Sequence, residues 1–366
     1  MISTKKQLPL GRLYLREVEG YVPGAQPCAD AIKLNTNENP FPPSPKVMAA
    51  LAGIPPRALQ RYPDPLANEF RETVARLHRL DRDQVIATNG GDELLRLALT
   101  TFVDPGQSVG VVTPSYGVYS VMSAIHQAHL SCVPLTAEWG LAPDTAVRWN
   151  SDGAPLALIT NPHAPSGALF SLATIDRLAA EFQGVLLIDE AYIDFVDPDL
   201  KHDATPLIAK HSNVVLLRTL SKGYGLAGLR LAYGLGQTCL IRPMLTKTKD
   251  SYNVDGVAQA LGKAAILDQQ YASASWKHVR QERIRLTRGL EDLRFQVAPT
   301  QTNFILTSPI SDVCLDAVSL YQELQKHGIY VRWFDDDRLE GSLRISIGNI
   351  DENNALLSCI GKLIAS

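Results

Sequence analysis

Between residues 85 and 235, short apolar runs alternate with stretches long enough for crossover helices. Val109-Gly110-Val111-Val112, Leu156-Ala157-Leu158-Ile159, Val185-Leu186-Leu187-Ile188 and Val214-Val215-Leu216-Leu217 read as strands buried on both faces. Their alternation with helical segments predicts an α/β layer around a largely parallel sheet. In such sheets ligands sit beyond the carboxyl ends of the strands, and Tyr116, Asn161, Asp189 and Lys222 each fall just after such a run.

Upstream, Leu66, Phe70, Val74 and Leu77 recur at helical spacing. They predict an amphipathic helix over 65–80 with its arginines and His78 on the solvated face. Residues 20–65 are rich in Pro, Asn and Gly and read as ordered loop. Residues 255–290 read as one long helical connection. Beyond it come a strand near 302–306, a helix over 313–327, strands near 329–333 and 343–347, and a closing helix from 351 to about 363. That order suggests a smaller α+β domain.

The 366 residues suffice for two domains in one compact unit. Composition is that of an ordinary soluble protein, and a formal net charge of −3 leaves no electrostatic footprint for nucleic acid or an anionic membrane. No apolar run approaches the roughly 20 residues that span a bilayer. Met1–Pro9 lacks the apolar centre of a signal peptide. Five scattered cysteines without a CxxC pair argue for reduced thiols, and so for a cytoplasmic protein.

The sharpest chemical signal is the run Arg218-Thr219-Leu220-Ser221-Lys222-Gly223-Tyr224-Gly225-Leu226-Ala227-Gly228-Leu229-Arg230. A lone lysine is usually a solvated charge. Here a hydroxyl precedes it, small residues follow, and an arginine lies eight positions on. Such a lysine can hold an aldehyde cofactor as a Schiff base while Ser221 and Arg230 grip the cofactor's phosphate. Asp189 alone would read as a helix N-cap; beside Lys222 it reads as counter-ion to a protonated ring nitrogen. Tyr192 and Asn161 are candidates for the cofactor's phenolic oxygen, and Tyr116 for stacking on the ring. Asn89-Gly90-Gly91-Asp92-Glu93 opens an apolar helix whose free N–H groups favour a phosphate. The whole set reads as a pyridoxal-phosphate site.

Two competing patterns carry less. Gly223-Tyr224-Gly225-Leu226-Ala227-Gly228 fits a dinucleotide fingerprint, but Arg218–Lys222 separate it from its strand and no acid ends a second strand at the required distance. His126 and His129 lack a third ligand nearby, so no metal site is expected.

Taken together these residues resemble the fold-type I pyridoxal-phosphate aminotransferases, and within them the histidinol-phosphate aminotransferase family. The resemblance rests on Tyr21-Val22-Pro23-Gly24, Leu34-Asn35-Thr36-Asn37-Glu38-Asn39-Pro40, Arg61-Tyr62-Pro63-Asp64, Asn89–Glu93, Pro114–Tyr119, Asp189–Tyr192, the Lys222 run and Leu343–Gly348. It implies a seven-stranded, mostly parallel sheet in a large domain, 41–254, with an N-terminal arm, 1–40, contributing to the small domain and a dimer contact. A connecting helix, 255–285, and a small C-terminal domain, 286–366, complete it. Lys222 would carry the cofactor and shuttle the proton, Asp189 would pair with the ring nitrogen, Tyr192 and Asn161 with the ring oxygen, and Tyr116 would cover the ring. Gly91, Asp92, Thr219, Ser221, Arg230 and Tyr62 from a second subunit would hold its phosphate, which implies a homodimer. Arg344 would bind the carboxylate of glutamate, and Tyr21, Asn161, Arg332 and Arg344 the phosphate of histidinol phosphate. The implied reaction is ping-pong transamination between L-histidinol phosphate and 2-oxoglutarate. Threonine-phosphate decarboxylase and aromatic amino-acid aminotransferase are the alternatives on the same scaffold. The family's Asn-Pro-Asn-Asn-Pro-Thr-Gly run reads Asn161-Pro162-His163-Ala164-Pro165-Ser166-Gly167 here, and Gly223-Tyr224 stands where many relatives have Ala-Phe. Neither departure is expected to touch an assigned role.

Overall fold

The computed structural model describes residues 12–16, 18–310 and 313–365, so the reading of Met1–Pro9 lies outside the described residues. Seven strands form one sheet in the spatial order Val85–Thr88, Ala232–Gly236, Val214–Thr219, Val185–Asp189, Leu156–Thr160, Ser108–Thr113 and His129–Pro134. Ala232–Gly236 runs antiparallel to both neighbours; the remaining pairs are parallel. The four expected apolar runs are its central strands. Leu186 and Ile188 enter one core and Leu187 the other, because successive side chains leave opposite faces of the sheet.

The second unit is a four-stranded antiparallel sheet in the order Arg332–Trp333, Leu343–Ser346, Phe304–Pro309 and Phe295–Val297. Ile32–Lys33 pairs in parallel with Ile329–Tyr330 beside it. A separate apolar cluster, including Phe304, Leu320, Leu343 and Leu356, holds this unit together.

Local chemistry explains several boundaries. Asp316 caps helix Ala317–Lys326 by accepting from the Ser319 N–H at 2.8 Å, so the expected helix over 313–327 starts only at 317. The expected single helix over 255–290 is two, Gly256–Leu267 and Gln269–Asp292. Asp268 breaks it with φ −104° and ψ 52°, and its carboxylate takes Lys46 Nζ at 2.9 Å. Within the expected loop at 20–65 lies a helix, Pro45–Ala52, begun by Ser44 as cap and proline at its first position.

The expected amphipathic helix is Asn68–His78, but its faces differ from the reading. Phe70 and Val74 are buried while Leu66 and Leu77 are exposed. Arg71 is fully buried, donating to the Val85 and Arg82 carbonyls at 2.7 and 3.0 Å. His78 meets the Tyr233 hydroxyl at 3.0 Å. Burial drives the His78 imidazole down to about 3, so a neutral ring and the Arg71 guanidinium sew the helix to the sheet instead of facing solvent.

Candidate active site

The carboxyl ends of the central strands open onto a cavity of about 880 Å³, closed on its far side by the small sheet and the 35–37 segment. Strand register sets the floor: Asp189 lies level with Thr160 on one side and Leu217 on the other. Among the expected residues, Tyr21, Gly91, Asp92, Tyr116, Asp189, Tyr192, Thr219, Ser221, Lys222, Arg230, Arg332 and Arg344 all line it.

Lys222 lies just beyond strand Val214–Thr219, and its Nζ donates to the Thr36 carbonyl at 2.8 Å. Burial holds its ammonium down to about 8, with the positive charge of Arg344 adding to the effect. A value near 8 leaves a usable fraction of the amine neutral near physiological pH, the state a nucleophile needs. Gly223, next to it, is required by packing. A Cβ there would sit 2.0 Å from Asp194 Oδ2, so the departure from the family's Ala follows from the aspartate behind it.

Asp189 is buried, and burial raises its carboxyl to about 6, with Asp92 and Glu190 adding to the rise. Its Oδ1 accepts from the Ala191 N–H at 3.0 Å and its Oδ2 from the Tyr119 hydroxyl at 3.1 Å. Tyr119 in turn meets Thr160 Oγ1 at 2.8 Å. A carboxylate so deeply desolvated calls for a cation.

At the other end, Thr219 donates its hydroxyl to Ser221 Oγ at 2.9 Å, and helix Gly91–Phe102 starts without a side-chain cap. Arg230 takes a left-handed φ of 54° and lies 3.7 Å from Asp92. Its guanidinium passes over Gly90, where a Cβ would come within 2.6 Å of Nη2. Hydroxyls, uncapped helix N–H groups and a guanidinium together make a phosphate cup.

Tyr192 accepts from Asn37 Nδ2 at 3.0 Å and stands edge-on to Phe304. Asn37 is buried with φ 56° and is itself held by Ser346, whose hydroxyl accepts from the Asn37 N–H at 2.8 Å. Tyr116 is bracketed edge-on by Tyr21 and Tyr119, with ring centroids at 5.7 and 5.6 Å. Arg332 and Arg344 are direct cross-strand partners. Arg344 donates to the Asn35 carbonyl at 3.1 Å, while its buried Nε has no partner.

One expected residue is placed differently. Asn161 is buried away from the cavity: its Oδ1 accepts from the Phe170 N–H at 2.8 Å, and its Nδ2 donates to the Phe170 carbonyl at 3.2 Å. Nδ2 also approaches His202 Nε2 at 3.3 Å, so both ends of the carboxamide are engaged within the large unit. Ala164 and Pro165 line the wall instead, so the departure at 164 does touch the pocket, by presenting a methyl there. His163, beside them, is buried and neutral, driven down to about 4. Its Nε2 faces the Pro114 carbonyl at 3.0 Å and its Nδ1 the Ser166 hydroxyl at 2.8 Å. Tyr62, expected to serve a second subunit, does not line its own chain's cavity. It is 80% exposed and stacks on Tyr252 at 4.4 Å.

Tyr119, Asn35, Thr36, Asn37, Ser115 and Phe334 are site residues that the sequence reading left without a role. Asn35 Oδ1, Thr36 Oγ1 and Ser115 Oγ are buried and unpartnered. Orphaned polar atoms around a cavity of this size mark space shaped for a polar ligand. With a depressed lysine, a buried carboxylate and a phosphate cup around the same space, the residues fit pyridoxal phosphate.

Fold and lysine site define a class: the family model for aminotransferase class I and II matches residues 29–360. Histidinol-phosphate aminotransferase 1 of a Nostoc species is 39% identical over 97% of this chain and 98% of that protein. Histidinol-phosphate aminotransferase 2 of Burkholderia mallei is 37% identical over 96% and 98%. The solved histidinol-phosphate aminotransferase of Sinorhizobium meliloti, in complex with pyridoxal 5'-phosphate, superposes with a TM-score of 0.85. At 24% identity over 91% of this chain and 90% of that one, it shows the shared fold. The chain belongs to the class I and II aminotransferases, on their histidinol-phosphate aminotransferase branch.

Proposed function

We propose that this protein transfers the amino group of L-histidinol phosphate to 2-oxoglutarate, giving imidazole-acetol phosphate and L-glutamate, a reaction of histidine biosynthesis. The observation that carries it is the cross-strand pair Arg332 and Arg344 facing Lys222 across one cavity, with Arg344 Nε unsatisfied. Like charges directly opposite on a sheet are unfavourable unless an anion lies between them. Guanidinium forks accept a phosphate or a carboxylate through charge-assisted bonds, so one pocket serves both half-reactions.

Pyridoxal phosphate, when bound, supplies the aldehyde that receives the amino group and an electron-withdrawing ring. Thr219, Ser221, Arg230 and the N–H groups of Gly91 and Asp92 would hold its phosphate, Asp189 its ring nitrogen and Tyr192 its ring oxygen. Tyr116 would cover the ring. With the cofactor bound, the Lys222 amine would take the proton from the donor's Cα and pass it to the cofactor carbon that receives the amino group, and would run the same transfer in reverse for the acceptor. Burial holds that ammonium down to about 8, so a usable fraction of the amine is neutral near neutral pH.

We further propose a homodimer in which Tyr62 completes the partner's phosphate cup, and a division into a large unit, 41–254, a connecting segment, 255–285, shared by the two helices that meet at Asp268, and a small unit, 286–366, joined by the arm. An 80% exposed tyrosine that does not line its own chain's cavity supports the first, and separate apolar cores support the second. No helix among the described residues is long and apolar enough to cross a membrane, and we place the protein in the cytoplasm.

The test is a substrate panel on purified holoenzyme: histidinol phosphate, threonine phosphate and phenylalanine as amino donors to 2-oxoglutarate. Histidinol phosphate should lead in kcat/KM. Carbon dioxide release from threonine phosphate, or phenylalanine as the best donor, would overturn the assignment.

A further inference from the structure

The anion site is tied to the large unit by a contact outside it. Residues 334–339 leave strand Arg332–Trp333, cross the cavity mouth and return toward strand Leu343–Ser346; Phe334, Asp335, Asp336 and Leu339 line the opening. This segment is internally braced. The Leu339 N–H donates to the Asp336 carbonyl at 2.8 Å, the Arg338 N–H to Asp336 Oδ1 at 3.0 Å, and Leu339 is buried. At one end Phe334 faces both arginines: its ring centre lies 5.4 Å from the Arg332 guanidinium carbon and 5.3 Å from that of Arg344.

At the other end Arg338 reaches across to the turn that follows edge strand His129–Pro134. Its guanidinium donates to the Leu135, Thr136 and Ala137 carbonyls at 2.9, 2.5 and 3.3 Å. It also lies 3.8 Å from the Trp139 ring centre, a close cation–π stack. Trp139 sits in a tight turn, with φ 63° and the Thr136 N–H bonded to the Gly140 carbonyl. A planar fork on consecutive carbonyls with an aromatic lid is a fixed geometry that an ammonium cannot copy.

The two anion-binding arginines are unequally secured. Arg344 is held by the Asn35 carbonyl at 3.1 Å and lies over Phe304, both independent of the strap. Arg332 has a longer bond to the Val22 carbonyl, 3.4 Å, and the face of Phe334. Loosening the strap therefore frees Arg332 before Arg344.

We propose that Arg338 is a specificity-determining positioning residue: by fastening the 334–339 strap to the 135–139 turn it keeps Phe334 between Arg332 and Arg344, so that both guanidinium groups close on one phosphate. A carboxylate held by Arg344 alone depends on the strap much less. This inference rests on the reading of the arginine pair as the anion site.

The test uses holoenzyme, whose cofactor cup is filled, with inorganic phosphate as the probe. Arg338→Met removes the donors and keeps an apolar stem over Trp139. The phosphate dissociation constant should rise about tenfold, the scale of one charge-assisted contact. KM for histidinol phosphate should rise with it while KM for glutamate moves less than about threefold, the scale of a surface contact. Arg338→Lys should recover only part of the loss. Trp139→Leu, which leaves the carbonyl bonds, should give a smaller rise and serves if Arg338→Met does not fold. Unchanged phosphate affinity in these variants, or equal rises in KM for both substrates, overturns the proposal. Weaker phosphate binding in the variants, with no turnover of histidinol phosphate by the parent enzyme, upholds the strap and removes only the substrate assignment.

Discussion

The Tyr119 hydroxyl donates to Asp189 Oδ2 at 3.1 Å while meeting Thr160 Oγ1 at 2.8 Å. This fixes the carboxylate at the strand end from the side of helix Val118–Ile125, as the Ala191 N–H fixes it from below. The bond favours the ionised carboxylate, opposing burial. Tyr119→Phe should therefore weaken cofactor affinity, because an ionised Asp189 is the partner of the ring nitrogen. Hydrogen bonds to charged groups contribute roughly 1.5–3 kcal/mol, so the pyridoxal-phosphate dissociation constant should rise at least about tenfold. Fluorescence titration of the cofactor-free protein measures it. An unaltered constant would show that Tyr119 merely packs.

Asp189 also sets a pH dependence in the cofactor-free protein. Its folded value is raised to about 6 from 3.8, so between those values the folded chain binds more protons than the unfolded one. Stability contributed by this group therefore falls as pH rises through that window, and the cost is fully present above it. Asp189→Asn keeps the shape and the Tyr119 donor but removes the buried charge. At pH 7 the cofactor-free variant should be more stable than the parent by on the order of 2–3 kcal/mol and so melt higher, although it should lose nearly all turnover. At pH 4 the two should converge. A lower Tm for the variant at pH 7 would contradict the argument.

The Lys222 amine is depressed to about 8 from 10.5 by burial and by Arg344. Only the neutral amine attacks an aldehyde. Reconstitution of the cofactor-free protein with pyridoxal phosphate should accelerate with pH and level off with a midpoint near 8. Arg344→Gln removes a positive neighbour and should shift that midpoint upward. Stopped-flow absorbance across pH 6–10 gives both profiles, and a midpoint near 10 in the parent would mean the amine is solvated. Lys222→Ala should bind the cofactor without the visible band of the lysine-bound form and without turnover.

How much of this was legible depends on whether the deciding partner is near in sequence. The central strands were readable because both of their faces are buried, which forces continuous apolar runs such as Leu156–Thr160. Strand Ala232–Gly236 was not, since it contains glycine where the sheet is crowded: a Cβ on Gly234 would lie 2.8 Å from Leu94 and 2.9 Å from Ile86. Lys222, Asp189 and Arg230 stood out because their residue types and spacing suit one cofactor. Asn161 had the right type and place, but its side chain is taken by Phe170, and nothing local shows that. Arg71 likewise looks like a surface residue until the Val85 and Arg82 carbonyls are brought to it by the fold. Tyr119 and Asn37 act by holding other site residues, so no cofactor chemistry points to them in the sequence.

Gly90 is the most stringent position in the cofactor cup. Its φ of 80° and ψ of 169° lie in an extended positive-φ region that is essentially glycine's alone, and a Cβ would enter the space of Arg230 Nη2 at 2.6 Å. The flexible Arg230 side chain can swing away, so Gly90→Ala should fold with a loss of stability of about 1–3 kcal/mol from the backbone alone. The displaced guanidinium would no longer face the phosphate. Cofactor should then dissociate faster on dialysis and inorganic phosphate should compete with it less effectively, while excess pyridoxal phosphate restores most of kcat. Combining Gly90→Ala with Arg230→Ala separates the two causes: if the glycine acts through the arginine, the double variant should retain cofactor no worse than Arg230→Ala alone. Additive losses would place the defect in the helix start itself.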